Sequence, residues 1–169
     1  MAADPQSFRQ VMRRFPTGVT VLTMREGDTV HGMTANSFTA VSLDPVLILV
    51  CVDVTARAHG IVDRTGRFTV NILAAGQEAT SRNFALREIA DGERWSGVQW
   101  ESGPQDLPRL SGCCAYLDCR VVSSHPGGDH TIFVAEVLGI EPGPGTDPLI
   151  FYGGAYRSLL ATRPGAALG

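Results

Sequence analysis

His31-Gly32-Met33-Thr34-Ala35-Asn36-Ser37-Phe38-Thr39-Ala40-Val41-Ser42-Leu43-Asp44-Pro45 runs directly into Val46-Leu47-Ile48-Leu49-Val50-Cys51-Val52. The second half is a buried strand by composition, a short apolar run bounded by turn residues. The first half is unusual for a strand. Thr34, Asn36 and Ser37 stand where a core favours aliphatics, and buried polar groups cost stability unless they find partners. An edge strand with solvated hydroxyls is one solution. A cleft whose backbone N–H groups and short hydroxyls meet the polar edge of a flat heterocycle is another.

The rest of the chain supplies short strands and turns around this stretch. Asp4-Pro5 starts a helix, and Phe8, Val11, Met12 and Phe15 fall on one face of it. Val19 to Met24 and Thr29 to Met33 form a hairpin around Arg25-Glu26-Gly27-Asp28. Asp44-Pro45 is a turn. Thr55 caps a short helix reaching about Asp63, and Thr65-Gly66-Arg67 is a turn. Phe68 to Leu73 alternates as a strand. Gln77 to about Ala85 reads as a helix, with a second possible from Leu86 to Ala90, and Trp95 to Leu110 is irregular. Cys114 to Val122 is a strand, Ser123 to Asp129 a loop, Thr131 to Ile140 a strand, and Leu149 to Tyr152 a short apolar segment. The tail frays after Thr162. Six or seven strands at short spacing with marginal helices predict a mainly β, antiparallel barrel rather than a doubly wound sheet.

Composition narrows the function. The 169 residues are 44% hydrophobic and 18% charged, with net charge −3. They predict one folded domain, residues 1–169 with an ordered core of about 6–160, and no general attraction to nucleic acid or anionic membrane. No run is long and apolar enough for a membrane span, and the start Met-Ala-Ala-Asp-Pro-Gln is unlike a signal peptide, so a cytoplasmic location is expected. Cys51, Cys113, Cys114 and Cys119 form no CxxC pair, and the histidines lack metal-ligand spacing, so no metal is expected. There is no G-x-G-x-x-G, P-loop or G-x-S-x-G frame.

Three further places could carry chemistry. Cys51-Val52-Asp53-Val54-Thr55-Ala56-Arg57 joins a strand to a helix start, which is either an ordinary capped helix or a phosphate site. Gly127-Gly128-Asp129-His130 is either a solvated hairpin turn or a loop whose His130 meets a ligand. Phe151-Tyr152-Gly153-Gly154-Ala155-Tyr156 is either a tight turn or the wall of a ring slot. His31, His59 and His125 read as surface or packing residues.

Taken together, these residues resemble the short flavin reductases that serve two-component flavin-dependent monooxygenases. The resemblance is carried by Phe8, Phe15-Pro16-Thr17-Gly18-Val19, Gly32 to Phe38, Ser42-Leu43-Asp44-Pro45, Phe68 to Leu73, Gly128-Asp129-His130 and Tyr152 to Tyr156, in order over about residues 6 to 160. It implies a split β-barrel, Greek-key-like, that dimerises and binds FMN or FAD near the subunit interface. NADH or NADPH would be the co-substrate, and reduced flavin would diffuse to a separate monooxygenase. It further implies that Thr34, Ala35, Asn36 and Ser37 hold the flavin ring edge, while Cys51, Val52, Asp53, Thr55 and Arg57 hold the ribityl phosphate. Phe84 would join the flavin-binding set. Gly128, Asp129 and His130 would approach flavin and nicotinamide, His130 seating the nicotinamide without acid–base work, with Tyr152 and Tyr156 as ring walls. Val54 and Ala58 depart from the family's frequent polar residues, leaving the phosphate to Thr55 and Arg57.

Overall fold

The computed structural model describes residues 2–87 and 89–159. The elements in order are α1 (Pro5–Met12), β1 (Thr17–Gly18), β2 (Thr20–Glu26), β3 (Thr29–Ala35), β4 (Phe38–Leu43), β5 (Val46–Asp53), α2 (Arg57–Thr65), β6 (Arg67–Ile72), α3 (Glu78–Ala85), α4 (Asp91–Arg94), β7 (Trp100–Ser102), β8 (Pro108–Leu110), β9 (Ala115–Gly127), β10 (His130–Pro142), β11 (Ile150–Tyr152) and β12 (Ala155–Arg157). Seven strands form one antiparallel sheet in the order β3-β2-β6-β9-β10-β5-β4. The expected fraying after Thr162 lies outside the described residues.

The opening stretch explains why this sheet curls. β3 and β4 are its two edges, yet only Asn36 and Ser37 separate them in sequence. In a flat sheet of this order the edges would stand about 29 Å apart, at about 4.8 Å per strand step. The link from Ala35 to Phe38 spans at most about 11 Å. The sheet must bend until its edges meet, as a split barrel does. Asn36 and Ser37 cross the seam, and Ser37 extends the ladder: its carbonyl accepts from Cys51 N–H (3.2 Å), and its hydroxyl donates to Cys51 O (2.8 Å).

Both faces of the central strands are buried. Leu22, Met24, Val50, Val52, Phe68, Val70 and Phe133 form one core with Ala58, Ile61 and Val62 of α2. Val21 of β2 and Val19, just before that strand, feed a second core with Leu73, Phe84, Trp95, Tyr116 and Leu149. The polar face of β6 is buried too. The Asn71 amide donates to Val21 O (2.9 Å), and its carbonyl accepts from Leu110 N–H (2.8 Å), so the β8 segment covers it. Residues 95–110, expected to be irregular, therefore carry the paired β7 and β8.

Three local expectations are corrected. α2 begins at Arg57 with Ala56 as N-cap and no side-chain cap. Thr55 does not cap it, because its N–H and hydroxyl both bond Asp53 Oδ1 (2.8 and 2.7 Å). An aspartate two residues upstream closes this local turn and outcompetes the helix for the threonine. The described residues of 86–90 are not helical; Arg94 draws that segment in through its carbonyls. Residues 123–127 are strand rather than loop: β9 and β10 continue to a two-residue turn at Gly128-Asp129, with Gly128 at φ 76°. Pairing with β10 overrides a sequence poor in β-formers. The apolar face of α1 is not buried: Phe8, Val11, Met12 and Phe15 are exposed in the single chain.

Candidate functional site

A cleft of about 220 Å³ opens where β3, the end of β5, the start of α2 and the end of α3 converge. Thr34, Asp53, Thr55, Arg57 and Phe84 line it, together with His31, Gly32, Leu86, Arg87 and Arg94. Glycine at position 32 is a steric necessity. A Cβ there would lie 2.4 Å from Phe84 Cε1, so the bare backbone lets the ring lie against β3. Phe84 is buried and meets Trp95 edge-on, ring centroids 5.0 Å apart. Thr34 ties the same helix to β3 by donating its hydroxyl to Ser81 O (2.7 Å).

The cleft's charges are arranged in pairs. Arg87 Nη2 bonds Asp53 Oδ2 at 2.8 Å. The Thr55 hydroxyl and N–H, then Arg87, hold the Asp53 carboxyl well below the usual range. Arg57 Nη1 lies 2.9 Å from Asp91 Oδ2 without aiming an N–H along that line. His31 Nδ1 lies 2.5 Å from Asp91 Oδ1. Burial pushes the His31 imidazolium down from its ordinary value; Asp91 pulls it up, while Arg94 and Arg57 push it further down. The neutral ring therefore carries its proton on Nδ1 and donates to the carboxylate. Two cationic side chains beside a helix N-terminus without a side-chain cap offer the donors that suit an anion.

A second depression, of about 460 Å³, lies at the seam, lined by Phe8, Met12, Phe15 and Phe151, by Arg9 and Arg13, and by Thr17, Asn36 and Ser37. Thr17 Oγ1 is buried without a hydrogen-bond partner. Leaving such a hydroxyl unpaired costs about 1–3 kcal/mol, so this is a place that suits the polar edge of a ligand. Asn36 follows Thr34 by two residues, about 6.6 Å along an extended chain. The first cleft and this depression thus neighbour each other along one short chain segment. The donor set fits a phosphorylated flat heterocycle: cations and helix N–H groups at one end, and at the other a slot of aromatic side chains with amide and hydroxyl groups and two further arginines.

The remaining expected residues are distributed more widely. His130 opposes Asp53 in the β10–β5 ladder, and Val54 N–H donates to Asp129 O (3.1 Å), so the Gly128 turn sits beside the cleft's rim. His130 Nδ1 bonds Asp129 Oδ1 at 2.7 Å, and this bond lowers the Asp129 carboxyl. Ala35 and Val52 are core residues, leaving only their backbone for a ligand, and Cys51 is engaged with Ser37. Tyr152 and Tyr156 line neither depression of this chain. Tyr152 is exposed, whereas the Tyr156 hydroxyl is 2.8 Å from Ser81 Oγ and its ring lies beneath Arg82. Neither is a wall of the site within one chain.

Sequence reasoning missed His31, Asp91, Arg87 and Arg94. His31 read as a surface or packing residue, and the arginines could not be placed. Asp91 is 60 residues from His31. The polar run beginning at His31 is the one available signal. Among the described residues no group of three or more His, Cys, Asp or Glu is arranged for a metal, and no helix is long and apolar enough to cross a membrane.

The curled antiparallel barrel with this cleft defines a class, and comparison with known proteins agrees. Residues 12–160 match the flavin reductase like domain, and the chain belongs to that family. It is 42% identical over 158 residues to an NADH-dependent flavin reductase of Rhodococcus sp, covering 92% of this chain and 86% of that one. It is 37% identical over 158 residues to HsaB of Rhodococcus jostii, the reductase subunit of a flavin-dependent monooxygenase, covering 94% and 80%. It superposes with TM-score 0.87 and 39% identity on a Streptomyces globisporus NADH:FAD oxidoreductase in complex with NAD and FAD fragments, covering 95% and 98%.

Proposed function

We propose that this chain, one domain throughout, is an NADH-dependent flavin reductase that supplies reduced FMN or FAD to a separate monooxygenase. The observation that carries the reading is the convergence of Thr34, Asp53, Thr55, Arg57 and Phe84 on one cleft with a helix N-terminus. The membership and relatives above support it. Flavin and nicotinamide supply the chemistry, a hydride passing from C4 of the dihydronicotinamide to N5 of the oxidised flavin with no covalent bond to the protein.

The chain's own residues bind, orient and dry the reactants. Arg57, the start of α2 and Arg87 hold the phosphate. Phe84 backs the cleft between phosphate and ring. The 34–37 segment offers backbone N–H groups, the Asn36 amide and the Ser37 hydroxyl to the ring's polar edge, with Cys51 and Val52 contributing backbone. His130, oriented by Asp129, seats the nicotinamide, and Gly128 lets the turn come close. No general acid or base is required; positioning and exclusion of water do the work.

The reading extends to a homodimer in the cytoplasm. Exposed apolar residues gather on α1 (Phe8, Val11, Met12) and on β4, β5 and β10, where Leu43 is 90% and Ile140 67% exposed. Such area calls for cover, and a second copy would bring residues to the open seam depression. In that assembly Tyr152 and Tyr156 of a partner subunit are candidates for the ring wall. Light scattering on the purified protein checks this; a monomer at all concentrations refutes it.

The deciding assay mixes protein with NADH or NADPH and with FMN or FAD. Flavin-dependent loss of NADH supports a reductase. Tight flavin binding without NADH loss supports a carrier, and a bound flavin reduced only by another compound supports a different split-barrel oxidoreductase. His130→Ala is expected to raise KM for NADH with flavin affinity unchanged; unaltered NADH kinetics would sink that role.

A further inference from the structure

Asp91 touches no expected ligand position, yet it stands at the centre of the cleft's charges. Its side chain is 11% exposed, and three basic groups face it: His31 Nδ1 at 2.5 Å, Arg57 Nη1 at 2.9 Å and Arg94 Nε at 3.9 Å. These come from three different elements, β3, α2 and α4. Arg94 is itself anchored. Its guanidinium donates to the carbonyls of Phe84 (3.1 Å), Asn83 (3.3 Å) and Leu86 (2.5 Å). The carboxylate is therefore mounted on the segment that carries Phe84 to Arg87 and reaches across to α2.

We propose that Asp91 is a positioning residue that holds the Arg57 guanidinium in the cleft before a flavin phosphate arrives. This rests on the flavin reading above. Arg57 is 62% exposed at its side chain and has no other charged partner among the described residues. Without Asp91 it would sample solvent rotamers, and binding would have to order it, which costs affinity. The opposing effect is repulsion between Asp91 and the phosphate. Arg94 Nε, 3.9 Å from the same carboxylate, offsets part of that charge, whereas Arg57 keeps the short contact at 2.9 Å. Orientation is expected to outweigh repulsion, which the FMN measurement below decides. His31 Nδ1, 2.5 Å from Oδ1, fixes the rotation of the carboxylate so that Oδ2 faces Arg57.

The test compares FMN with riboflavin, which lacks the phosphate, by quenching of flavin fluorescence on the full chain. Asp91→Asn is expected to weaken FMN by about 3–10-fold, the cost of ordering one long side chain, and to leave riboflavin unchanged. In an Arg57→Gln background the same change should have no further effect. The proposal is overturned if Asp91→Asn leaves FMN unchanged or tightens it. An equal loss for riboflavin, or a loss that persists without Arg57, overturns it as well. Asp91→Glu, which displaces the carboxylate by one methylene, gives the same decision should Asp91→Asn fold poorly: a reduced preference for FMN over riboflavin supports the role, an unchanged preference refutes it. If the wild-type chain binds both flavins equally and Arg57→Gln changes neither, the flavin reading of this cleft has failed instead.

Discussion

Gly32→Ala tests the packing on which the cleft depends. The added methyl would sit 2.4 Å from Phe84 Cε1 and 2.5 Å from Cδ1, more than an ångström inside ordinary contact. The ring has little room to retreat. It is 1% exposed and lies edge-on against Trp95 at 5.0 Å between centroids. Overpacking of this kind costs about 1–3 kcal/mol. For a chain of this size each kcal/mol lowers Tm by about 2–4 °C, so about 2 kcal/mol lowers it by ~4–8 °C. Because Phe84 also lines the cleft, FMN affinity should fall with stability. Phe84→Leu, a smaller side chain costing up to about 1.5 kcal/mol alone, should give the methyl its space. The double variant should therefore be more stable than the sum of the two single losses. Melting followed by circular dichroism measures all four proteins. A Gly32→Ala variant melting as the wild type, or strict additivity in the cycle, would refute a direct clash between these residues.

Three further outcomes follow from buried groups. His31 is held neutral, its folded-state value lying below the ordinary 6.5 because burial disfavours the imidazolium. Its contribution is complete above about pH 6.5 and is lost as pH falls toward the depressed value, since the unfolded chain binds the proton first; His31→Gln should flatten Tm against pH below about 6.5. Asp118 accepts from Arg109 Nη2 (2.6 Å) and the Thr69 hydroxyl (2.8 Å) and is 1% exposed. Asp118→Ala strands the guanidinium and should cost about 3–5 kcal/mol by urea unfolding, toward the lower end because Glu141 still pairs Arg109. Burial pushes the Cys113 and Cys119 thiols up to about 12, so native protein at neutral pH should leave both unlabelled by an alkylating reagent until denaturant is added; labelling in the native state would contradict their burial.

Much of the architecture was legible because it is local. Alternation marked the main strands and Asp4-Pro5 marked α1, whereas α2, expected to stop at about Asp63, runs on to Thr65 and ends at Gly66 in the left-handed conformation. Thr55 failed as a cap because two local bonds competed for it and the nearer carboxylate won. Residues 123–127 failed because their strand character comes from the ladder to β10 rather than from composition. Tyr152 and Tyr156 line neither depression of the single chain: Tyr152 is exposed, and Tyr156 holds Ser81.

The site divides in the same way. The residues contiguous with the opening stretch, Thr34 to Ser37 and Asp53 to Arg57, could be nominated from their order, because a polar run inside a barrel strand demands partners and a strand-to-helix junction presents free N–H groups. The curl of the sheet is also implicit there, since two residues cannot span a flat seven-stranded sheet. Tertiary structure alone decided which charges meet. Asp91 reaches His31 across 60 residues and Arg57 across another element, and Arg87 reaches Asp53 across 34. Those pairings depend on how α3 and the 86–94 segment settle on β3, and that is set by Phe84 lying on Gly32, a packing contact with no local signature.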